Sequence, residues 1–275
     1  MLFLSHKPGA PLDRFVRSVW YFRGPRVDYR RERILPSGCA QLIVNLSRDF
    51  LLDCAEDSPE RRIEPALIVG QRSVYEIVDT SDFADLIGIM FEPAALPAVV
   101  ADRADLFSNN SMALEQVWGV AARMLRDRLR DLRSAEEKMN CLEQFLFDKF
   151  LSVEQAGFAF HPAVEFALER FRLAPTVTSV AGVARDSGWS QRRFSEIFRE
   201  QVGFGPKIWC RMLRFQRAVR QMSAGQDVRW ADLAIECGFY DQAHLANEFR
   251  AFSGIDLTTY TRLRNPLWAN HVRAE

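Results

Sequence analysis

The chain has 275 residues, a length typical of one or two domains. Its composition, with 48% hydrophobic and 26% charged residues, is that of a protein with a buried core. Its formal net charge is zero, so the total charge gives no indication of a nucleic-acid partner. The distribution is uneven: residues 171–275 contain 15 Lys and Arg against 10 Asp and Glu, and the preceding residues contain 21 against 26. This asymmetry favours a basic binding module attached to a different kind of domain, although chance drift between two solvated surfaces would give the same counts.

The five cysteines and four histidines are scattered, and no C-x-x-C or H-x-H spacing occurs. We therefore expect neither a disulfide framework nor a metal site, and no cofactor is indicated. The N-terminal apolar run is too short for a secretory signal, and no stretch approaches the roughly 20 apolar residues that span a bilayer. We expect a cytoplasmic protein with no membrane partner.

The first hundred or so residues predict strands. The segments RFVRSVWYFRG, CAQLIVNLSRDFLLDC, PALIVGQRSVYEIV and FADLIGIMFEP are short and rich in β-branched and aromatic residues. From Glu92 the pattern becomes helical, with Pro93 at a favoured first-turn position. Two apolar stripes at helical spacing follow, from Leu114 to Leu129 and from Met139 to Phe150. These stripes predict two helices that pair with each other or with a second subunit.

The segment SVEQAGFAFHP interrupts the helical pattern around Gly157 and Pro162, and everything after it is typical of helix. We place a domain boundary there. The sequence predicts an α+β chain with a β-rich, sensor-like domain followed by helices at residues 1–155. An all-α domain with two helix-turn-helix units is predicted at residues 162–268.

An internal repeat supports these two units. The segment from Val180 to Pro206 resembles the segment from Trp230 to Leu257, and the extra residue of the second copy falls in a turn, where insertions are tolerated. Small residues, glycines and apolar anchors recur at a spacing of 50 before that turn and 51 after it. The matched pairs are Ala184 with Ala234, Gly188 with Gly238, Trp189 with Phe239, Phe194 with Leu245, Phe198 with Phe249, Arg199 with Arg250, and Gly203 with Gly254.

Each copy has the order of a helix-turn-helix: a short helix, a glycine that takes left-handed backbone, a capping residue (Ser190 or Asp241), and a second helix. The face opposite the apolar anchors of that second helix is polar in both copies. It carries Arg192, Ser195, Glu196 and Arg199 in the first copy and Ala243, Ala246, Asn247 and Arg250 in the second, with Gln242 at the helix start and His244 at the flank.

An α-helix fits the major groove of double-stranded DNA, where Asn and Gln pair with adenine, Arg pairs with guanine and Glu accepts from cytosine. An ordinary solvated helix face is the alternative for either copy alone, and two copies in register favour DNA. The segment between the copies predicts a helix of roughly 17 residues and about 25 Å. It could hold the two reading helices about one DNA turn, ~34 Å, apart. Its arginines, from Arg211 to Arg220, contact phosphate or solubilise the helix.

The second copy, IECGFYDQAHLANEFRAFSGI, resembles the signature of the AraC/XylS family of transcription regulators, and GWSQRRFSEIFREQVGFGPKIW resembles that family's first motif. The resemblance implies a seven-helix DNA-binding domain in a bacterial regulator of promoter activity, with RNA polymerase as a further expected partner. The chain departs from the family at Leu257, where proline is usual, so the last helix is expected near Thr258 to Leu263.

In this family the N-terminal part usually senses a small-molecule effector or forms a homodimer, and we expect the same here. Candidate effector-binding residues are Trp20, Phe22, Cys39, Arg72 and Phe91, although a buried aromatic residue is most often only packing. Two other functions stay open: an enzyme-like N-terminal domain and a helical protein-interaction module. No nucleophile motif or Gly-rich phosphate loop supports an enzyme, so no catalytic residue is predicted.

Overall fold

The computed structural model describes residues 1–24, 29–54, 61–80, 84–155, 157–174, 178–224 and 229–274. The N-terminal half is rich in strands, as the sequence predicts. The strands are β1 Leu2–His6, β2 Val16–Arg23, β3 Arg31–Ile34, β4 Gln41–Asn45, β5 Leu51–Asp53, β6 Arg61–Ile63, β7 Ala66–Val69, β8 Glu76–Asp79, β9 Asp85–Phe91, β10 Ser111–Ala113 and β11 His271–Arg273.

These strands form two antiparallel sheets within the described residues. The six-stranded sheet has the order β1-β2-β9-β4-β7-β10, and the five-stranded sheet has the order β11-β3-β8-β5-β6. Strand β11 comes from the far end of the chain and pairs with β3, so that Val272 lies opposite Arg33. The second sheet is therefore completed by residues beyond the C-terminal domain predicted at residues 162–268.

Side-chain alternation gives the six-stranded sheet two different faces. On β2, Val19 and Tyr21 are buried in the main core, whereas Trp20 lines a cavity between the two sheets. On β9, Ile89 is buried in the same core and Met90 lines the cavity. One face of this sheet thus supports the fold, and the other face is left to form a site.

Four helices cover the core face: α1 Leu96–Val100, α2 Leu114–Trp118, α3 Val120–Asp131 and α4 Ala135–Gln155. The helix expected from Pro93 begins at Leu96. The stripe expected on one continuous helix is divided at Gly119, whose φ of 56° is left-handed.

Most residues of the two apolar stripes face the interior of the same chain, whereas Met124 of the first stripe is 67% exposed. Leu125 and Leu129 of α3 and Leu142 and Leu146 of α4 are at most 3% exposed and belong to the main core. Helices α3 and α4 pair with each other, which confirms one of the two predicted alternatives. The buried stripes are consequently not available to a second subunit, because the sheet and the neighbouring helix already cover them.

The C-terminal half contains seven helices among its described residues, as the family resemblance implies. They are α5 Pro162–Leu173, α6 Val180–Asp186, α7 Gln191–Val202, α8 Pro206–Ser223, α9 Trp230–Glu236, α10 Gln242–Ser253 and α11 Leu257–Leu263. Helix α11 begins at Leu257, where Asp256 caps it by accepting a hydrogen bond from the Thr259 amide at 2.8 Å. None of the described helices combines the length and hydrophobicity needed to cross a bilayer.

The two halves share their apolar cores. The main core runs from the six-stranded sheet and α4 into the first helix-turn-helix unit, where it includes Phe194 and Phe198. A second core, inside the second unit, takes in Leu35 from the N-terminal half and Val272 of β11. Helices α7 and α10 are therefore held against the N-terminal half by continuous apolar packing.

Candidate functional site

Both helix-turn-helix units have the predicted turn chemistry. Gly188 and Gly238 adopt left-handed φ values of 79° and 81°, which glycine takes without steric cost. The Ser190 side chain accepts a hydrogen bond from the Arg193 amide at 3.3 Å, and Asp241 accepts one from the His244 amide at 2.7 Å. These caps fix the start of α7 and α10 and so confirm the second helix predicted for each unit.

The inner faces of these helices are buried as predicted. Phe198 is 0% exposed and lies 6.0 Å from Phe171 in an edge-on ring contact. Phe249 is also 0% exposed and contacts Phe215 and Tyr260, each at 5.3 Å between ring centroids. Each recognition helix is thereby fixed from behind, which leaves its opposite face to solvent.

Side chains on the outer face of α7 form ion pairs and hydrogen bonds with one another and with their own helix. The Arg192 side chain is 92% exposed, and its Nε donates to Glu196 at 3.2 Å. Arg193 reaches the same carboxylate at 3.4 Å, and the hydrogen bond from Arg192 is the main reason that the pKa of Glu196 is lowered. Ser195 donates its hydroxyl to the Gln191 carbonyl at 2.7 Å. A base that binds Glu196 would have to compete with these two arginines.

Arg199, at the far end of α7, contacts the N-terminal half. Its guanidinium lies 3.3 Å from the carboxylate of Asp105 in the short 3-10 helix Ala104–Phe107. The Arg103 side chain donates two hydrogen bonds to the Asp105 carboxylate, and this hydrogen bonding is the main reason that the pKa of Asp105 is lowered. Nothing local in the sequence indicates that Asp105 and Arg199 meet.

The outer face of α10 makes fewer contacts with the rest of the chain than the outer face of α7. Gln242, Ala243, Asn247 and Arg250 are exposed, and within the described residues no hydrogen bond or ion pair engages the Asn247 amide or the Arg250 guanidinium. His244 differs, because its Nδ1 accepts a hydrogen bond from the Tyr240 amide at 3.1 Å and its ring packs edge-on against Phe239. One nitrogen of the His244 ring therefore stabilises the turn, and only the rest of the ring is available to DNA.

Helix α8, of 18 residues, joins the two units. At a rise of about 1.5 Å per residue it spans about 27 Å, close to the predicted length. Arg211 on α8 donates to both oxygens of Glu248 on α10, at 2.7 and 2.9 Å. This bidentate pair fixes α10 against α8, so Arg211 has a positioning role that the sequence did not reveal.

Both recognition helices end against the sensor-like half. Ser108 donates its hydroxyl to the carbonyl of Gly203, which ends α7, at 2.7 Å. At the end of α10, Arg33 donates to the Ser253 carbonyl at 3.1 Å, and the Tyr75 amide donates to Phe252 at 3.0 Å. The two copies of the repeat are thus held at matching positions by the same domain.

A cavity of about 1350 Å³ lies between the two sheets and extends to the C-terminal half. Trp20, Phe22 and Arg72, three of the five predicted effector residues, line it. Cys39 and Phe91 do not. Phe91 is 0% exposed on the core side of β9, opposite to Met90, and Cys39 is buried, which raises the pKa of its thiol.

Arg72 is held in the cavity wall by an ion pair with Glu76 at 2.6 Å and a hydrogen bond to the Ser111 hydroxyl at 2.9 Å. From α8, Gln216 and Arg220 also line the cavity. The site therefore contains contributions from both halves of the chain, which sequence reasoning did not anticipate. No group of three metal-binding side chains occurs among the described residues.

Comparison with known families finds a match in each half of the chain. Residues 4–113 match a family described as a domain of unknown function (DUF6597), and residues 183–263 match a family described as a helix-turn-helix domain. No curated protein sequence matches the chain.

Three solved structures illustrate the structural likeness. ToxT from Vibrio cholerae O395 is 12% identical, with 94% of this chain and 97% of that chain covered and a TM-score of 0.47. A transcriptional regulator from Chromobacterium violaceum, with an AraC-type DNA-binding domain, is 21% identical, covers 34% of this chain and 85% of its own, and has a TM-score of 0.32. The DNA-binding domain of AdpA, solved with a target DNA, is 24% identical over 38% and 92% of the two chains, with a TM-score of 0.34.

Proposed function

We propose that this chain, whose C-terminal half is a helix-turn-helix domain of the AraC type, is a sequence-specific DNA-binding regulator of transcription. The AraC/XylS resemblance found in the sequence is confirmed by the helix-turn-helix match. We further propose that the protein is a cytoplasmic bacterial regulator that contacts RNA polymerase and responds to a small-molecule effector.

The observation that carries this proposal is the pair of recognition helices. Each is fixed from behind by a phenylalanine that is 0% exposed, and each presents polar side chains to solvent. In particular, the side chains of Asn247 and Arg250 lack a hydrogen-bond partner within the described residues, so they can bind base edges or phosphates without first breaking a contact. A protein-interaction module would have no need for two such faces in register on one rigid connecting helix.

The cavity supports the effector part of the proposal. Ligand sites are typically concave, mostly apolar and placed where domains meet, and this cavity has contributions from both sheets and from α8. Residues 109–111 line the cavity, and they directly follow Ser108, whose hydroxyl binds the end of α7. A ligand in the cavity would therefore touch chain segments that position both recognition helices.

Selection of binding sites from random double-stranded DNA by the full chain tests the function. We expect an enriched motif with two short elements about one helical turn apart, because α8 holds the two reading helices at a fixed distance. A gel shift should then favour the selected site over scrambled DNA by at least about 10³-fold. The absence of any enriched motif would contradict sequence-specific binding and favour the protein-interaction alternative.

The Asp105 contact gives a prediction about DNA affinity. Asp105→Asn is expected to tighten DNA binding by up to about fivefold, because it frees the Arg199 guanidinium from its ion pair. Partly exposed ion pairs of this kind usually contribute about 0–1 kcal/mol. The slope of log affinity against log salt should steepen by about one, because Arg199 can then neutralise a phosphate. A salt titration on the selected site measures both quantities.

Two variants control this prediction. Arg199→Ala combined with Asp105→Asn should cancel the gain, and Glu115→Gln, which breaks the Glu115–Arg123 pair on another surface, should leave DNA binding unchanged. Weaker binding by Asp105→Asn would show instead that the ion pair holds α7 in its binding orientation.

We also propose a homodimer, formed through exposed apolar residues of α3 rather than through the buried residues of the two stripes. Val120 and Met124 of α3 are 59% and 67% exposed and lie one helical turn apart. Val120→Glu together with Met124→Glu should convert a sedimenting dimer of the full chain into a monomer, while Leu151→Glu on α4 should not. A wild-type monomer at tens of micromolar in sedimentation would refute the dimer.

A further inference from the structure

The segment after α11, residues 264–274, lies outside both family matches, which end at residues 113 and 263. It is nevertheless held by backbone pairing. Strand β11 pairs with β3, and the Leu35 amide donates to the Asn270 carbonyl at 2.7 Å. We call residues 264–274 the tail. Because the tail is not part of the helix-turn-helix match, its pairing with the sheet suggests a role of its own.

The tail is also packed into the second helix-turn-helix unit. Val272 is 0% exposed and belongs to the apolar core of that unit. The Tyr260 hydroxyl donates to the Ala269 carbonyl at 2.9 Å, and Gln216 on α8 donates to the Asn270 side chain at 3.1 Å. The tail is thus a direct connection between the DNA-binding half and the edge of the five-stranded sheet.

Five consecutive tail residues, 267–271, line the cavity between the sheets. Trp268 is the largest of them. Its ring lies 5.7 Å from Phe3 and 5.6 Å from Phe22, both edge-on, and all three side chains line the cavity together with Trp20. The tail therefore contributes to an aromatic wall whose other members come from β1 and β2.

Aliphatic side chains lie beside this aromatic wall, although charged residues such as Arg72 and Arg220 also line the cavity. Ile43, Leu67 and Val69 of the six-stranded sheet and Ile63 of the five-stranded sheet line the same cavity. Aromatic side chains beside an aliphatic surface favour a ligand with a flat, apolar ring, since ring contacts add to the gain from apolar burial. The cavity exceeds the usual 300–1,000 Å³ of a small-molecule site, so its size admits such a ligand.

We propose that the tail is part of the effector site, and that Trp268 is a binding residue for an apolar small molecule carrying a ring. This inference rests on the proposed function, in which the cavity holds the effector. It adds that a segment beyond the DNA-binding domain contacts the ligand. Because the same segment is packed into the second helix-turn-helix unit, ligand contact at Trp268 acts directly on that unit.

The test uses the full chain and the neutral fluorescent probe N-phenyl-1-naphthylamine, whose emission rises when it leaves water. Wild type should bind the probe saturably. Trp268→Ala should raise the Kd for the probe at least about tenfold, the loss expected for one well-packed ring. Trp268→Leu keeps an apolar side chain without a ring and should show a similar loss. Trp268→Phe should stay within about threefold of wild type.

Trp189→Ala is the matched control, since Trp189 is 40% exposed in the first helix-turn-helix unit and does not line the cavity. It should leave probe binding unchanged. Lack of saturable binding by wild type, wild-type affinity in Trp268→Leu, or an equal loss in Trp189→Ala would each overturn the proposal.

The same preparations separate this inference from the proposed function. Each variant is also titrated with the selected DNA in the absence of probe, where Trp268→Leu should bind within about twofold of wild type. A wild type that binds the probe through Trp268 but no specific DNA would refute the regulator and leave the tail site standing. A wild type that binds specific DNA but loses no probe affinity on Trp268→Leu would refute the tail site alone.

Discussion

Replacing Phe249 by alanine is expected to lower the free energy of unfolding by about 3–5 kcal/mol, the usual cost of removing a buried phenylalanine. The side chain is 0% exposed and packs against Phe215 and Tyr260, so the cavity it leaves cannot be filled by a neighbour's rotation alone. The same cost is expected for Phe198→Ala in the first unit, where Phe171 and Trp209 surround the ring. Each change should lower the thermal midpoint by roughly 6–20 °C.

Phe166→Ala serves as the matched control. Phe166 lies on α5 of the same half but is 39% exposed, so its removal leaves little or no cavity and should cost well under 1 kcal/mol. Thermal unfolding of the three variants, followed by circular dichroism, measures the difference. Midpoints equal to wild type in both Phe198→Ala and Phe249→Ala would contradict the placement of α7 and α10 around these anchors.

The helix-turn-helix units could be predicted from the sequence because everything that specifies them is local. The glycines, the caps and the apolar anchors lie in one short stretch of the chain, from Gly188 to Gly203, and the repeat supplies a second copy of each from Gly238 to Gly254. Even the departure at Leu257 had a local remedy, since Asp256 caps α11 without a proline.

The contacts between the halves could not be predicted in this way. Asp105 and Arg199 are far apart in the sequence, and no periodic pattern marks either as a partner of the other. Strand β11 has three residues and follows a helix, so its pairing with β3 depends on the packing of the whole chain. Such non-local pairs are fixed by tertiary structure rather than by propensity.

Two of the five predicted effector residues, Cys39 and Phe91, do not line the cavity, and for Phe91 the reason is geometrical. Residue type suggested Phe91 as readily as Phe22, but the face on which a strand residue lies depends on register, and one step along a strand reverses it. Phe91 shares its face with Ile87 and Ile89, toward the core, whereas Trp20 and Phe22 face the cavity. Trp268 was missed because it is far in the sequence from Trp20 and Phe22, and only the pairing of β11 with β3 brings it to the cavity.

Asn247→Ala and Arg250→Ala are expected to impair DNA binding in different ways. Asn247 is exposed on the face of α10 opposite Leu245 and Phe249, where an amide can pair with adenine in the major groove. Its loss should cost about 1–3 kcal/mol on the selected site and relax selectivity at one base pair. Binding to scrambled DNA should change little, because the lost contact is specific to one base.

Arg250 follows the buried Phe249 in the second half of α10 and has no ion-pair partner within the described residues, so it is placed to bind phosphate. Arg250→Ala should weaken the selected site and scrambled DNA about equally. The slope of log affinity against log salt should flatten by about one unit, since one fewer phosphate is neutralised. Arg199 is the equivalent residue of the first copy, and Arg199→Ala should have a smaller effect because Asp105 already binds that guanidinium.

The decisive measurement is a salt titration of each variant on both DNAs, with Arg262→Ala as the control, since Arg262 is an exposed arginine on α11 outside both recognition helices. Equal loss on both DNAs for Asn247→Ala, together with sparing of scrambled DNA by Arg250→Ala, would show that α10 enters the groove in the reverse sense. Wild-type affinity of both variants on both DNAs would mean that this face of α10 points to solvent, and the assignment of α10 as a recognition helix would then be wrong.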